Sequence, residues 1–317
     1  MHQTSRVVVS SRRYPARASS HEHTLNSHHS IVHGDNLEVL RAMPDGCARL
    51  VYIDPPFNTG RKQVKRHLRT VRDEGGDRVG FHGARYRTEE IARSAWNDSF
   101  DDFLTFLAPR LEEGRRILAP DGSFFLHIDY REVHYCKVLL DQIFGRASFI
   151  NEIIWAYDYG ARSRSRWPAK HDNILWYARN PKKYVFNFDA MDRIAYMAPK
   201  LVGETKARRG KTPTDVWWHT IVSPNGKEKT GYPTQKPLGV LERIVRVHSD
   251  PGDLVVDYFA GSGSMAEAAA RNGRRFLAID ESREAFELMQ RRLARFDPEI
   301  VGAPKRAASN MQPMAAE

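Results

Sequence analysis

Apolar positions in this chain fall into two kinds of stretch that alternate: short runs that stop abruptly, and longer segments in which they recur every three or four residues. Ser30-Ile31-Val32-His33 reads as a strand ending at Gly34-Asp35, and Asn36 to Met43 sets Leu37, Val39 and Leu40 at helical spacing before Pro44. After the turn Asp45-Gly46, the run Leu50-Val51-Tyr52-Ile53 is closed by Asp54-Pro55-Pro56-Phe57. Between Asp98 and Leu118, Phe103, Phe106, Leu107, Leu111 and Ile117 recur as on one helix face, and Pro120-Asp121-Gly122 turns into a strand over Ser123–Ile128. A helix from about Glu132 to Ile143 stops near Gly145, and a strand covers Phe149–Trp155. His171–Tyr177 reads as a further strand, and Gly231–Val247 opens with Tyr232–Pro237 and then reads as a helix. Leu254-Val255-Val256-Asp257 then ends in Phe259-Ala260-Gly261-Ser262-Gly263, followed by a helix over Met265–Arg271. A strand Arg275–Ile279 ending at Asp280 and a helix Glu284–Arg295 complete the series. Strands alternating with helices predict a doubly wound α/β fold, its mostly parallel sheet covered on both faces.

Three stretches break this rhythm. Residues 58–95 are polar, Arg- and Gly-rich and poorly periodic, and are expected to be a long mobile loop. Residues 181–230 have little helical signal and many turn formers, and are expected to be a lobe inserted between a first half (30–180) and a second half (231–297) of one domain. Residues 1–29 read as a disordered basic tail, rather than an organellar transit peptide, and 298–317 as a frayed tail with no closing strand.

The charge changes the picture modestly. Lys and Arg number 49 against 39 Asp and Glu, a net charge of +10, which favours a phosphate-rich partner. No stretch approaches the roughly 20 apolar residues of a membrane helix, and two cysteines, Cys47 and Cys136, allow neither a disulfide framework nor a four-cysteine metal site. Lone histidines such as His127, His134 and His248 lack metal-ligand spacing and read as packed or surface residues, so no metal is expected.

The candidate chemistry sits where two apolar runs end. In an open α/β sheet, ligands bind beyond the C-terminal ends of the strands. Gly261 and Gly263 admit positive φ and close backbone approach to a cofactor, and Asp280, at the end of the next strand, suits a ribose hydroxyl pair. That loop alone fits a dinucleotide as well, since Ala266 follows Gly263 by three residues. Asp54 and the Pro55 carbonyl are two acceptors aimed by a stiff turn, and Phe57 is a ring able to stack on a base, a set with no use in a dehydrogenase. Tyr232-Pro233-Thr234-Gln235-Lys236-Pro237 opens a helix, where backbone N–H groups with Thr234, Gln235 and Lys236 can hold a carboxylate.

This combination resembles the amino-methyltransferases of DNA. Asp54-Pro55-Pro56-Phe57 preceding Phe259-Ala260-Gly261-Ser262-Gly263 matches their circularly permuted β group, and the likeness runs from about residue 30 to 297. It includes His33-Gly34-Asp35-Asn36, Asn151-Glu152-Ile153-Ile154-Trp155 and Lys170-His171-Asp172-Asn173-Ile174-Leu175; Ser264 stands where the family usually has threonine. The resemblance implies the sheet of the S-adenosylmethionine-dependent methyltransferases with an inserted target-recognition lobe. It implies that cofactor, a base lifted from double-stranded DNA onto Asp54, Pro55, Pro56 and Phe57, and a cofactor site of Asp35, Thr234, Gln235, Lys236, Asp257, Phe259, Ala260, Gly261, Ser262, Gly263 and Asp280. Aspartate before Pro-Pro is the more typical adenine-N6 form; cytosine N4, RNA, and an inactive DNA-binding scaffold stay open as rivals. C5-cytosine methylation needs a cysteine nucleophile, and neither cysteine stands in a suitable turn. Arg162, Arg164, Arg166, Trp217 and Trp218 belong to an aromatic-basic stretch suited to DNA. A homodimer, a cognate restriction endonuclease and a cytoplasmic, nucleoid-associated place in a bacterial or archaeal cell follow from the resemblance alone.

Overall fold

The structure, a computed structural model, describes residues 29–56, 61–72, 75, 78–79, 85–98, 103–160, 162–223 and 225–302. The chain begins with β1 (Ser30–His33), α1 (Asn36–Ala42), β2 (Ala48–Ile53), β3 (Arg61–Arg72), β4 (Arg78–Val79) and β5 (Arg85–Asp98). It continues through α2 (Phe103–Ile117), β6 (Leu118–Ile128), α3 (Val133–Phe144), β7 (Phe149–Ala156), β8 (His171–Ala178), α4 (Glu204–Arg209) and β9 (Val216–Trp218). The last elements are α5 (Leu238–His248), β10 (Leu254–Asp257), α6 (Ser264–Arg271), β11 (Arg275–Asp280), α7 (Arg283–Leu293) and β12 (Glu299–Val301).

Nine strands form one sheet in the order β12-β1-β11-β10-β2-β6-β8-β7-β9. The first six run parallel, β8 is antiparallel to both neighbours, and β9 is parallel to β7. The near-continuous apolar character of β2, β6, β10 and β11 follows from burial on both faces. Val51, Ile53, Phe124, Leu126 and Val256 point to the face covered by α1, α2 and α3; Leu50, Tyr52, Phe125 and Val255 point to the face covered by α5, α6 and α7. On α2, burying Phe103, Leu107 and Leu111 contributes about 1.5–3 kcal/mol per side chain.

This topology positions the site. After β2 the chain passes to α2 on one face, whereas after β10 it passes to α6 on the other. The adjacent ends of β2 and β10 therefore part around a crevice, the switch point where doubly wound sheets take their ligands.

Three expectations are corrected. Residues 58–95 are not a loop throughout: β3, β4 and β5 form a three-stranded antiparallel sheet, with Arg61 opposite Asp98 and Arg72 opposite Tyr86. Its ladder is made by backbone groups, so no apolar periodicity announces it. The segment 181–230 is not wholly outside the central fold, because Val216-Trp217-Trp218 pairs with Ile154-Trp155-Ala156 as an edge strand. The stretch after Pro298 closes the opposite edge, with Ile300 and Val301 beside Ile31 and Val32. Both edge strands have three residues, too few to show a period. The tail 1–28 lies outside the described residues. Among those described, no helix is long and apolar enough to cross a membrane.

Candidate active site

β2, β10, β11 and β1 are parallel neighbours, so their C-terminal ends bring Asp54, Asp257 with the glycine segment, Asp280 and Asp35 to one edge of the sheet. Pro55 is buried and Asp54 partly so. Asp54 Oδ2 accepts a bond from Lys236 Nζ, the two side chains being 16% and 9% exposed. Asp54 Oδ1 is buried and has no hydrogen-bond partner among the described residues. A buried carboxylate oxygen left unsatisfied costs about 1–3 kcal/mol, and such an atom at a crevice is a place for a substrate donor. Phe57 lies outside the described residues.

The glycine segment is held from both sides. Gly261 (φ 49°) and Gly263 (φ 74°) adopt left-handed backbone, and a Cβ at Gly261 would meet Tyr232 Cε1 at 3.1 Å. Asp280 supports the turn: Oδ2 accepts from Gly261 N at 2.8 Å and Oδ1 from Ser282 N at 2.8 Å. Behind the loop, Arg292 of α7 donates to Ser262 O at 3.1 Å and to Ser264 Oγ at 2.9 Å. The Ser262 hydroxyl therefore turns inward to the same arginine, at 3.2 Å, and not to the crevice. Asp35 caps α1 by accepting from Leu37 N at 2.7 Å, and Arg110 of α2 reaches both Asp35 (3.3 Å) and Asn36 Oδ1 (2.7 Å). Phe259 packs against Phe106, over whose ring Arg110 lies. Ala260 is anchored by its N–H to Ile279 O at 3.1 Å.

The segment before α5 is built differently from the expectation. α5 starts at Leu238, and its first N–H donates to Glu228 Oε1 at 2.7 Å, so that helix end already has its anion. Gln235 braces a turn, accepting from Thr230 N and Thr230 Oγ1 at 2.8 Å and donating to Glu228 O at 2.7 Å. Thr234 is exposed, and Lys236 points at Asp54. α5 thus starts six residues after Tyr232, with Pro237 at its N-cap. Sequence reasoning did not find Arg110, Asn36, Arg292 or the Lys236–Asp54 pair; each joins segments far apart in the chain and leaves no local spacing.

Four carboxyls, Asp54, Asp257, Asp280 and Asp35, stand at this edge. Burial pushes the Asp257 carboxyl well above its ordinary 3.8; the Phe259 N–H opposes the rise, and the charges of Asp54 and Asp280 add to it. Asp280 is likewise raised by burial, against the pull of Ser282 N and Gly261 N. With a raised carboxyl, the unfolded chain releases its proton at lower pH than the folded one, so stability falls as pH rises above the ordinary value. Asp257→Asn keeps an acceptor for Phe259 N. It is expected to raise Tm by roughly 2–4 °C at pH 7, a gain that vanishes as pH approaches 4; calorimetry across pH checks it.

On the β7–β9 side, Arg162, Arg164 and Arg166 are exposed, and Arg162 and Arg166 line a concavity with Tyr130 and Arg131. Trp218 is exposed, whereas Trp217 donates to Thr214 O at 3.1 Å and lies under Arg243.

Sheet order, crevice and glycine loop together define the fold class of the S-adenosylmethionine-dependent methyltransferases. The family model described as DNA methylase (N6_N4_Mtase) matches residues 48–291, and the chain belongs to that family. It is 27% identical over 263 residues to type II methyltransferase M.HpaI of Haemophilus parainfluenzae, covering 83% of this chain and 73% of that one. It is 27% identical over 281 residues to DNA adenine methyltransferase YhdJ of Escherichia coli K12, covering 84% and 83%. Among solved structures, the M1.HpyAVI–SAM complex superposes with TM-score 0.53 at 21% identity over 83% of this chain and 98% of that one. The cytosine-N4-specific PvuII DNA methyltransferase gives 0.56 at 17% identity over 87% and 95%. These two likenesses bear on the fold.

Proposed function

We propose that this DNA methyltransferase transfers a methyl group from S-adenosylmethionine to the exocyclic N6 of an adenine lifted out of double-stranded DNA. The observation that carries the reading is the buried Asp54 Oδ1, without a hydrogen-bond partner among the described residues, at the crevice beside the glycine loop. The residues fit the cofactor: glycines at positive φ admit close approach, and Asp280 lies where a ribose hydroxyl pair would sit. Bound S-adenosylmethionine supplies an electrophilic methyl on a sulfonium.

The chain's own residues supply the rest. An exocyclic amine donates its lone pair into the ring and attacks poorly until its nitrogen becomes more tetrahedral. Asp54 Oδ1 and the Pro55 carbonyl, accepting its two N–H bonds, favour that geometry and the positive charge that develops. Lys236 fixes the Asp54 carboxylate through the other oxygen. Asp35 is assigned to the adenosyl end, and the exposed Arg162, Arg164, Arg166 and Trp218 to DNA.

Adenine is favoured because the residue before Pro-Pro is aspartate, and because a relative matched over most of both chains carries the name DNA adenine methyltransferase. The test is mass spectrometry of nucleosides from unmethylated plasmid DNA incubated with protein and S-adenosylmethionine. N6-methyladenine is expected; N4-methylcytosine would keep the mechanism and overturn the base. The absence of both would overturn the reading.

A further inference from the structure

Side chains from four adjacent strands or their ends, none used above, form a chain of hydrogen bonds along the catalytic edge. The Tyr52 hydroxyl of β2 lies 2.7 Å from His127 Nδ1 of β6. His127 Nε2 lies 3.2 Å from Asp172 Oδ2 of β8, and Tyr157, just past β7, donates to Asp172 Oδ1 at 3.1 Å. His127 is 0% exposed, so it cannot touch a substrate. Burial alone would raise the Asp172 carboxyl; the His127 and Tyr157 bonds and the Lys236 charge outweigh burial and hold it below its ordinary value. An ionised carboxylate only accepts, so Nε2 carries a proton toward Asp172; in the neutral imidazole Nδ1 then accepts from the Tyr52 O–H.

Net stability does not account for this arrangement. Replacing a buried ionic or polar set by apolar residues of the same volume is often neutral or stabilising. What a satisfied polar network adds is a single fixed geometry. Here its two ends matter. Tyr52 stands two residues before Asp54, which follows directly on the last residue of β2, Ile53. Tyr157 opens the connection that carries Arg162, Arg164 and Arg166, and its N–H donates to Lys170 O at 2.9 Å. Trp155, edge-on to His127 at 5.5 Å, donates to His219 O at 2.7 Å, just beyond β9.

We propose that His127 and Asp172 are positioning residues for methyl transfer. By holding the Tyr52 hydroxyl they fix the end of β2 from which Asp54 and Pro55 project, and they tie it to the rim assigned to DNA. The assignment rests on the methyl-transfer reading above.

The test is steady-state kinetics of the full chain with plasmid DNA, together with direct binding of S-adenosylmethionine and of a DNA duplex. A displacement of about 1 Å at a reacting group costs on the order of 100-fold in rate. His127→Phe is therefore expected to lower kcat by about 10- to 100-fold, with both dissociation constants within about twofold of wild type. His127→Asn places an amide acceptor near the Nδ1 position and is expected to recover kcat to within about fivefold of wild type. The proposal is overturned if His127→Phe keeps kcat within about threefold, if the loss falls on binding instead, or if His127→Asn is as slow as His127→Phe. Should His127→Phe fail to fold, Tyr52→Phe, which removes one oxygen, decides: a fall of about fivefold or more in kcat supports the proposal, and a change within about twofold overturns it. A wild-type protein that methylates no DNA sinks the underlying reading; an active wild type indifferent to these variants sinks this assignment alone.

Discussion

Asp54→Ala is expected to lower kcat by about 1000-fold or more at saturating DNA and S-adenosylmethionine, with the cofactor dissociation constant changed by no more than about threefold. The magnitude follows from what the variant removes. Oδ1 is a buried acceptor with no partner among the described residues, so its bond to the amino group forms without first breaking one of theirs. An acceptor preorganised in this way acts where charge develops and needs no reorganisation in the transition state. Asp54→Asn keeps an acceptor in place but loses the charge, and is expected to fall between alanine and wild type. Both variants remove the negative charge that faces Lys236, and removing one partner of a fully buried pair costs about 3–5 kcal/mol. The Asp54 side chain is 16% exposed, so a smaller loss of stability is expected, and the comparison is made at a temperature where every variant is folded. Single-turnover kinetics checks the outcome, and an alanine variant that retained more than about a tenth of the wild-type rate would remove Asp54 from the chemistry.

The sequence made the position of Asp54 legible because the parallel sheet advertises itself. Strands buried on both faces read as unbroken apolar runs, and a run that stops at Asp-Pro-Pro or at a glycine cluster marks its C-terminal end. The same logic located α6 and β11, whose observed bounds, Ser264–Arg271 and Arg275–Asp280, differ by one residue at most from those expected. The expected mostly parallel sheet is likewise present, its antiparallel exception being β8. What escaped reading is of two physical kinds. Backbone ladders between polar strands leave no mark on side-chain periodicity, so β3 against β5 was not visible, nor were the three-residue edges β9 and β12. Side-chain pairs between distant segments depend on the finished fold: Lys236 reads locally as a cation before a helix, and only the juxtaposition of β2 with the approach to α5 turns it onto Asp54. Gln235 likewise offers donors by composition, yet its amide N–H is given to Glu228 O, seven residues upstream, while its oxygen accepts from Thr230.

Asp280→Ala is the second large effect, and it falls on binding. Asp280 receives Gly261 N on one oxygen and Ser282 N on the other, which shapes both the left-handed turn of the glycine segment and the start of α7. Hydrogen bonds to a charged group contribute about 1.5–3 kcal/mol each, and each 1.4 kcal/mol is a factor of ten in affinity. Loss of the loop support together with the proposed ribose contact is therefore expected to weaken S-adenosylmethionine binding by about 100-fold, measured by calorimetric titration. Asp280→Asn, which keeps one acceptor, is expected to lose about tenfold. The rate at saturating cofactor is expected to recover most of its wild-type value, since Asp280 lies away from the reacting nitrogen; the effect appears in KM. Relief of its repulsion of Asp257 offsets only part of the two lost backbone bonds, so the variant's Tm is expected to fall modestly. Weak binding measured at a temperature where the variant is folded would place the loss in the cofactor crevice. A cofactor affinity unchanged by Asp280→Ala would instead mean that the glycine loop holds its shape without it and that the ribose lies elsewhere.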